Sequence, residues 1–97
     1  MNNDPIDIPI NGVLDLHTFQ PADVKDLVPE YLVECRKRGI LQVRIIHGKG
    51  IGTLRRIVAE TLRKLPYVKS FSPADETAGG WGATIVELWE ETKIKEM

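Results

Sequence analysis

Residues 41–66 read LQVRIIHGKGIGTLRRIVAETLRKLP, and their order decides the fold. Leu41, Val43, Ile45 and Ile46 form a short β-branched, apolar run of the kind that makes a strand. His47-Gly48-Lys49-Gly50 closes it. A helix then begins near Gly52 or Thr53 and buries Leu54, Ile57, Val58, Leu62 and Leu65, which recur at the spacing of one helical face. Pro66 ends the helix, because proline lacks the amide hydrogen that would continue it. Strand, glycine-rich turn and helix make half of a βαβ unit, so a further strand running parallel to the first is expected.

Toward the N-terminus, Val13, Leu14 and Leu16 predict a short strand that ends at Asp15 and His17. Pro21 suits a first helical position. From there Val24, Leu27, Val28, Tyr31, Leu32 and Cys35 follow the i, i+3, i+4, i+7 pattern of an amphipathic helix. Pro29 sits inside that run and should kink or split the helix. Gly39 stops it, with Arg36, Lys37 and Arg38 suited to its negative end. Toward the C-terminus, Val68 to Phe71 predict a third strand, Pro73 to Gly82 a loop, and Ala83 to Trp89 a fourth strand. The order is β-α-β-α-β-β. Strands 1 to 3 should run parallel and strand 4 antiparallel to strand 3, in a two-layer α/β sandwich with a mixed four-stranded sheet. Residues 1–11 are expected to be an extended arm, 12–90 one domain and 91–97 a charged tail.

Composition narrows the class. The 97 residues are 42% hydrophobic and 28% charged, enough for one modest core. The single cysteine, Cys35, excludes a disulfide framework, and with two histidines it cannot complete a four-ligand zinc site. Cys35 falls on the apolar helix face and is expected to be packing. Apolar runs fall far short of the ~20 residues of a membrane span. The first twelve residues have no basic residue or long apolar stretch, so no secretory signal is expected and the protein is read as soluble and cytoplasmic. The net charge of −1 hides a segregation. Residues 36–64 hold nine basic residues and one acid, Glu60, whereas the rest holds four basic and thirteen acidic residues. Such a basic stretch is either a phosphate-binding patch or a set of solvated helix faces.

The topology brings the polar residues to one edge. Ligands of parallel strands bind beyond the strands' carboxyl ends. Asp15 and His17 end strand 1, His47 and its glycines end strand 2, and the Gly79-Gly80-Trp81-Gly82 loop leaves strand 3. Asp15 and His17 share a strand face; they suit a proton-transfer pair, or else cap a turn and a helix. Gly48, Lys49 and Gly50, with Arg55 and Arg56 in the first turns of the next helix, suit a phosphate cradle, or else a plain strand-to-helix turn. The spacing fits neither the Walker A loop nor the dinucleotide G-x-G-x-x-G. Trp81 either stacks on an unpaired base or folds back over the core.

Leu14-Asp15-Leu16-His17, then His47-Gly48-Lys49-Gly50, then the Gly-Gly-x-Gly loop leading into Thr84-Ile85-Val86-Glu87-Leu88, resembles the small MutS-related (Smr) domain family over about residues 12–89. The resemblance implies a fold like the C-terminal domain of translation initiation factor 3. It also implies nucleic-acid binding, often with nicking or endonuclease activity on DNA or RNA. The family's catalytic acid and histidine fall on Asp15 and His17, and its nucleic-acid motif on His47, Gly48, Lys49 and Gly50. Where the family often has glycine after the first histidine, this chain has Thr18.

The expected function is therefore a phosphodiesterase that binds DNA or RNA and no membrane. Asp15 and His17 serve as base and orienting group, or His17 as base with Asp15 as its partner, and His47 as acid or charge stabiliser. Lys49, Arg55, Arg56 and the loop amides hold the backbone. RNA would supply its own 2′-hydroxyl. DNA would need water and a magnesium or manganese ion on Asp15, and one carboxylate predicts no obligatory ion. The rivals are a non-catalytic DNA- or RNA-binding module working with a separate targeting protein, and, more remotely, a small phosphorylated metabolite on the cradle.

Overall fold

The structure, a computed structural model, describes residues 8–48, 52–74 and 82–91. Its elements are β1 (Val13–Asp15), α1 (Pro21–Lys37), β2 (Gln42–Ile46), α2 (Thr53–Arg63), β3 (Val68–Pro73) and β4 (Ala83–Leu88). This is the expected β-α-β-α-β-β order in a mixed four-stranded sheet, arranged β1-β2-β4-β3. β1 pairs parallel to β2, and β4 runs antiparallel to both neighbours, β2 and β3.

β4 thus inserts between β2 and β3, and its residues explain why. Ala83, Thr84, Val86 and Leu88 are all buried, as a central strand requires. β3 (VKSFSP) has no fully buried residue and carries a register shift between Val68 and Ser70, both marks of an edge strand. It also runs two residues further than expected, through Pro73. Proline is tolerated there because an edge strand has one side without ladder partners.

α1 passes through Pro29 as one helix. Proline removes one intrahelical bond, but Val24, Leu27, Val28, Tyr31, Leu32 and Cys35 all stay buried on one stripe across it. Each such side chain contributes roughly 1.5–3 kcal/mol, so the packing outweighs the lost bond. Beyond the helix, Gly39 takes φ +76°. Its N–H donates to the Arg36 carbonyl, and that of Ile40 to the Cys35 carbonyl, a Schellman stop. Arg36 reaches across to donate to the carbonyls of Trp89 and Glu90, fastening the chain after β4 to α1.

The core lies between the helices and one sheet face: Leu14 and Leu16, Val43 and Ile45, and Val86 and Leu88 meet α1 and α2. Partners across the ladders, such as Val13 with Arg44 and Arg44 with Ile85, define the opposite, uncovered face. Of the expected arm, Ile8 and Ile10 pack on the core; residues 1–7, like 92–97 of the tail, lie outside the described residues. β1 is held from below. The Tyr31 hydroxyl, fully buried, accepts the Gly12 N–H at 3.1 Å and donates to the Val13 carbonyl at 3.0 Å. Among the described residues no helix is long and apolar enough to cross a membrane.

Candidate functional site

The sheet directions gather the carboxyl ends of β1, β2 and β3 and the start of β4 along one rim. At the β1 end, Leu14 and Leu16 point into the core, so Asp15 between them points to the uncovered face. The chain turns there, and one carboxylate oxygen organises the turn. Asp15 Oδ1 accepts the His17 backbone N–H at 3.0 Å and faces His17 Nδ1 at 2.8 Å. An ionised carboxylate only accepts, so Nδ1 carries the proton, and in the neutral ring Nε2 is the acceptor. The hydrogen bonds from the His17 ring and backbone hold the Asp15 carboxyl below its ordinary pKa. The pair is open to solvent, with the His17 side chain 71% and the Asp15 side chain 47% exposed.

His47 is built differently. It continues the alternation of Val43 and Ile45, so its ring turns to the helix side and is only 5% exposed. Nδ1 lies 3.1 Å from the Gly48 carbonyl and Nε2 lies 2.9 Å from Thr84 Oγ1. The carbonyl can only accept, so Nδ1 donates to it and Nε2 accepts the Thr84 hydroxyl. Burial pushes the His47 pKa below its ordinary value, opposed by the bond to Gly48 and reinforced by the charge of Arg55. The two imidazoles therefore share an edge of the sheet but do not face one patch. The period-2 alternation carries that signal; the Thr84 partner, 37 residues away, has no local signature.

The glycines at this edge serve the backbone. The Gly82 carbonyl accepts the N–H groups of both His47 and Gly48, at 2.8 and 2.9 Å. A Cβ on Gly82 would meet Gly48 backbone atoms at 3.3 Å, a tight contact that the Gly48 backbone would have to yield to by a few tenths of an ångström. The Gly48 amide is thus occupied inside the fold. The other cradle and loop residues named from the sequence, Lys49, Gly50, Gly79, Gly80 and Trp81, lie outside the described residues.

At the start of α2, Gly52 takes φ +87° and no side chain caps the helix. The Arg56 N–H donates to the Gly52 carbonyl, so those of Thr53, Leu54 and Arg55 precede the helical ladder and face outward. Arg55 and Arg56 stand beside them and, with Gly52, Thr53 and Thr84, line a hollow of about 580 Å³. The basic run of the sequence is divided: Lys37 and Arg38 pair with Glu34 on α1, while Arg55, Arg56 and Arg63 line this hollow.

Among the described residues no three His, Cys, Asp or Glu side chains cluster as metal ligands, and the Asp15 carboxylate already accepts two bonds on Oδ1.

Residues 14–89 match the Smr domain family, and the chain belongs to it. It is 40% identical over 78 residues to Endonuclease MutS2 of Carboxydothermus hydrogenoformans, covering 80% of this chain and 10% of that protein. It is 43% identical over 82 residues to Endonuclease MutS2 of Listeria welshimeri, covering 84% and 10%. The chain thus spans about a tenth of the length of these curated relatives. Among solved structures, the Smr domain of Thermus thermophilus MutS2 superposes with a TM-score of 0.76 at 37% identity, covering 80% of this chain and 98% of that one. YdaL, a stand-alone small MutS-related protein from Escherichia coli, superposes with a TM-score of 0.77 at 27% identity, covering 84% and 67%.

Proposed function

We propose that this chain binds nucleic acid across the carboxyl-end rim and cleaves its phosphodiester backbone, with RNA as the substrate its residues serve best. The observation that carries this is the exposed Asp15–His17 pair, whose 2.8 Å bond fixes the tautomer of the neutral ring and engages only its Nδ1 side. The endonuclease names of the MutS2 relatives support the same reaction class.

In this reading His17 Nε2 takes the proton of a ribose 2′-hydroxyl. The 2′-oxygen bonds to the adjacent phosphorus, and the bond from phosphorus to the next nucleotide's 5′-oxygen breaks. The leaving oxygen takes up a proton from water, giving a 2′,3′-cyclic phosphate and a 5′-hydroxyl. Asp15 stays ionised, orients the ring and stabilises the imidazolium. Arg55, Arg56 and the outward amides of α2 hold phosphate. Lys49, Gly50, Gly79, Gly80 and Trp81, read from the sequence as further phosphate and base contacts, lie outside the described residues. Asp15 and His17 are the catalytic residues. His47 is a positioning residue that locks the exit of β2 against Thr84 of β4.

A second reading, a module that binds without cutting, is favoured by that same closure of His47. With both its ring nitrogens engaged, the rim offers one imidazole for proton transfer. The test is incubation of the pure protein with labelled single- and double-stranded RNA and DNA, with EDTA and with magnesium or manganese. Cleavage of RNA in EDTA, lost in His17→Ala while binding persists, is the expected result. Intact RNA and DNA under every condition, with binding retained, leaves only the second reading.

A further inference from the structure

We propose that the groove between α2 and the edge strand β3 is a track for single-stranded nucleic acid, with Phe71 as the platform for an unpaired base and Arg63 as the phosphate contact beside it. This rests on the nucleic-acid reading above and adds to it the strandedness of the ligand and a second contact surface.

Two hollows lie end to end along this groove. The first, at the rim, is lined by Arg55, Arg56, Arg63, Phe71 and Ser72; the second, of about 410 Å³, continues past the end of α2 beside Lys64 and Lys69. Arg63 and Phe71 belong to both, so the half-buried ring stands at their junction. The Arg63 guanidinium lies 5.9 Å from the ring centroid, a cation over an aromatic face. Arg55, Ala59 and Arg63 follow at four-residue steps, so α2 presents one basic stripe to the groove with a small residue at its centre. The single acid of α2, Glu60, is paired with Arg56 at 3.8 Å.

The chemistry selects a single strand. Cations spaced along a helix follow a phosphate backbone. An aromatic ring in the groove floor meets the face of a base only when that base is unstacked, which a duplex does not offer. The groove also reaches the rim, where Gly52, Thr53 and Thr84 line it. From β3 to β1 the rim spans three strand spacings, about 14 Å, so a strand leaving the groove crosses the edge toward Asp15 and His17.

The test is fluorescence anisotropy with labelled oligouridine, oligothymidine and a duplex, at several salt concentrations. Phe71→Leu keeps an apolar contact with the core but removes the flat face. It is expected to weaken single-strand binding roughly tenfold and to leave duplex binding nearly unchanged, with Phe71→Tyr restoring the loss. Arg63→Ala is expected to lower the salt slope for the single strand by about 0.7. Because Arg63 and Lys64 are exposed, their alanine variants report even where Phe71→Leu fails to fold. Wild-type single-strand affinity in Phe71→Leu and Arg63→Ala, with Arg55→Ala weakened, overturns the track and leaves the rim site standing. Duplex binding as tight as single-strand binding also overturns it. A wild-type protein that binds no nucleic acid removes both readings.

Discussion

His17 and His47 leave the ends of two strands that lie side by side in parallel, yet the sheet treats them oppositely. His17 follows a strand residue on the uncovered face, hydrogen-bonds only through Nδ1 among the described residues, and stands in solvent. His47 continues the core-facing phase of β2, spends both nitrogens on neighbours and is nearly sealed. One residue of strand phase separates a ring that stands in solvent from a ring that holds two strands together.

The largest expected effect falls on the open ring. His17→Ala should lower the cleavage rate by 10²-fold or more while changing the dissociation constant little, measured by gel-resolved cleavage alongside anisotropy. Asp15→Asn should give a smaller loss, because the ring remains but the amide, which donates as well as accepts, neither fixes its tautomer nor balances its charge. If His47→Gln abolished cleavage as fully as His17→Ala without loss of stability, the contrast between the rings would break.

The next effect is on stability and belongs to the sealed ring. Thr84→Val leaves His47 Nε2 buried without a donor and should cost about 1–3 kcal/mol in urea unfolding. The pH profile sharpens the same point. The folded-state pKa of His47 is depressed, so the unfolded chain binds the extra proton first. Stability should fall as pH drops from ~6.5 toward the lower folded value, and then level off with respect to this group. Asp15 acts in the same direction at lower pH: its depressed carboxyl stabilises the fold above the ordinary carboxylate range and loses that contribution on acidification. His47→Gln should flatten the upper part of the profile. The smallest effect is that of Arg55→Ala on the salt dependence of binding, a change in slope of about 0.7 for a single strand.

Much of this was legible in residues 12–89. The six apolar positions of α1 kept phase across Pro29, and that continuity outweighed the proline. Asp15 and His17 were legible as a pair from their spacing, but β1 ends at Asp15, and the turn after it, rather than a shared strand face, brings them together. The position of β4 was not, since loop length alone does not say on which side of β3 a returning strand lies; its apolar content pointed to the centre of the sheet. His47 was assigned by motif and edge, whereas the Val43–Ile45–His47 alternation already placed its ring toward the helices. Phe71 became a candidate only in three dimensions, because the groove that frames it joins segments with no shared pattern.

The Tyr31 phenol has a mechanical consequence. β1 is three residues long and pairs only with β2, so its own ladder is a weak mooring. By gripping the backbone at Gly12 and Val13, the phenol ties the chain to α1 immediately upstream of Asp15. The helix thus sets where this short strand begins, two residues ahead of the carboxylate at its end.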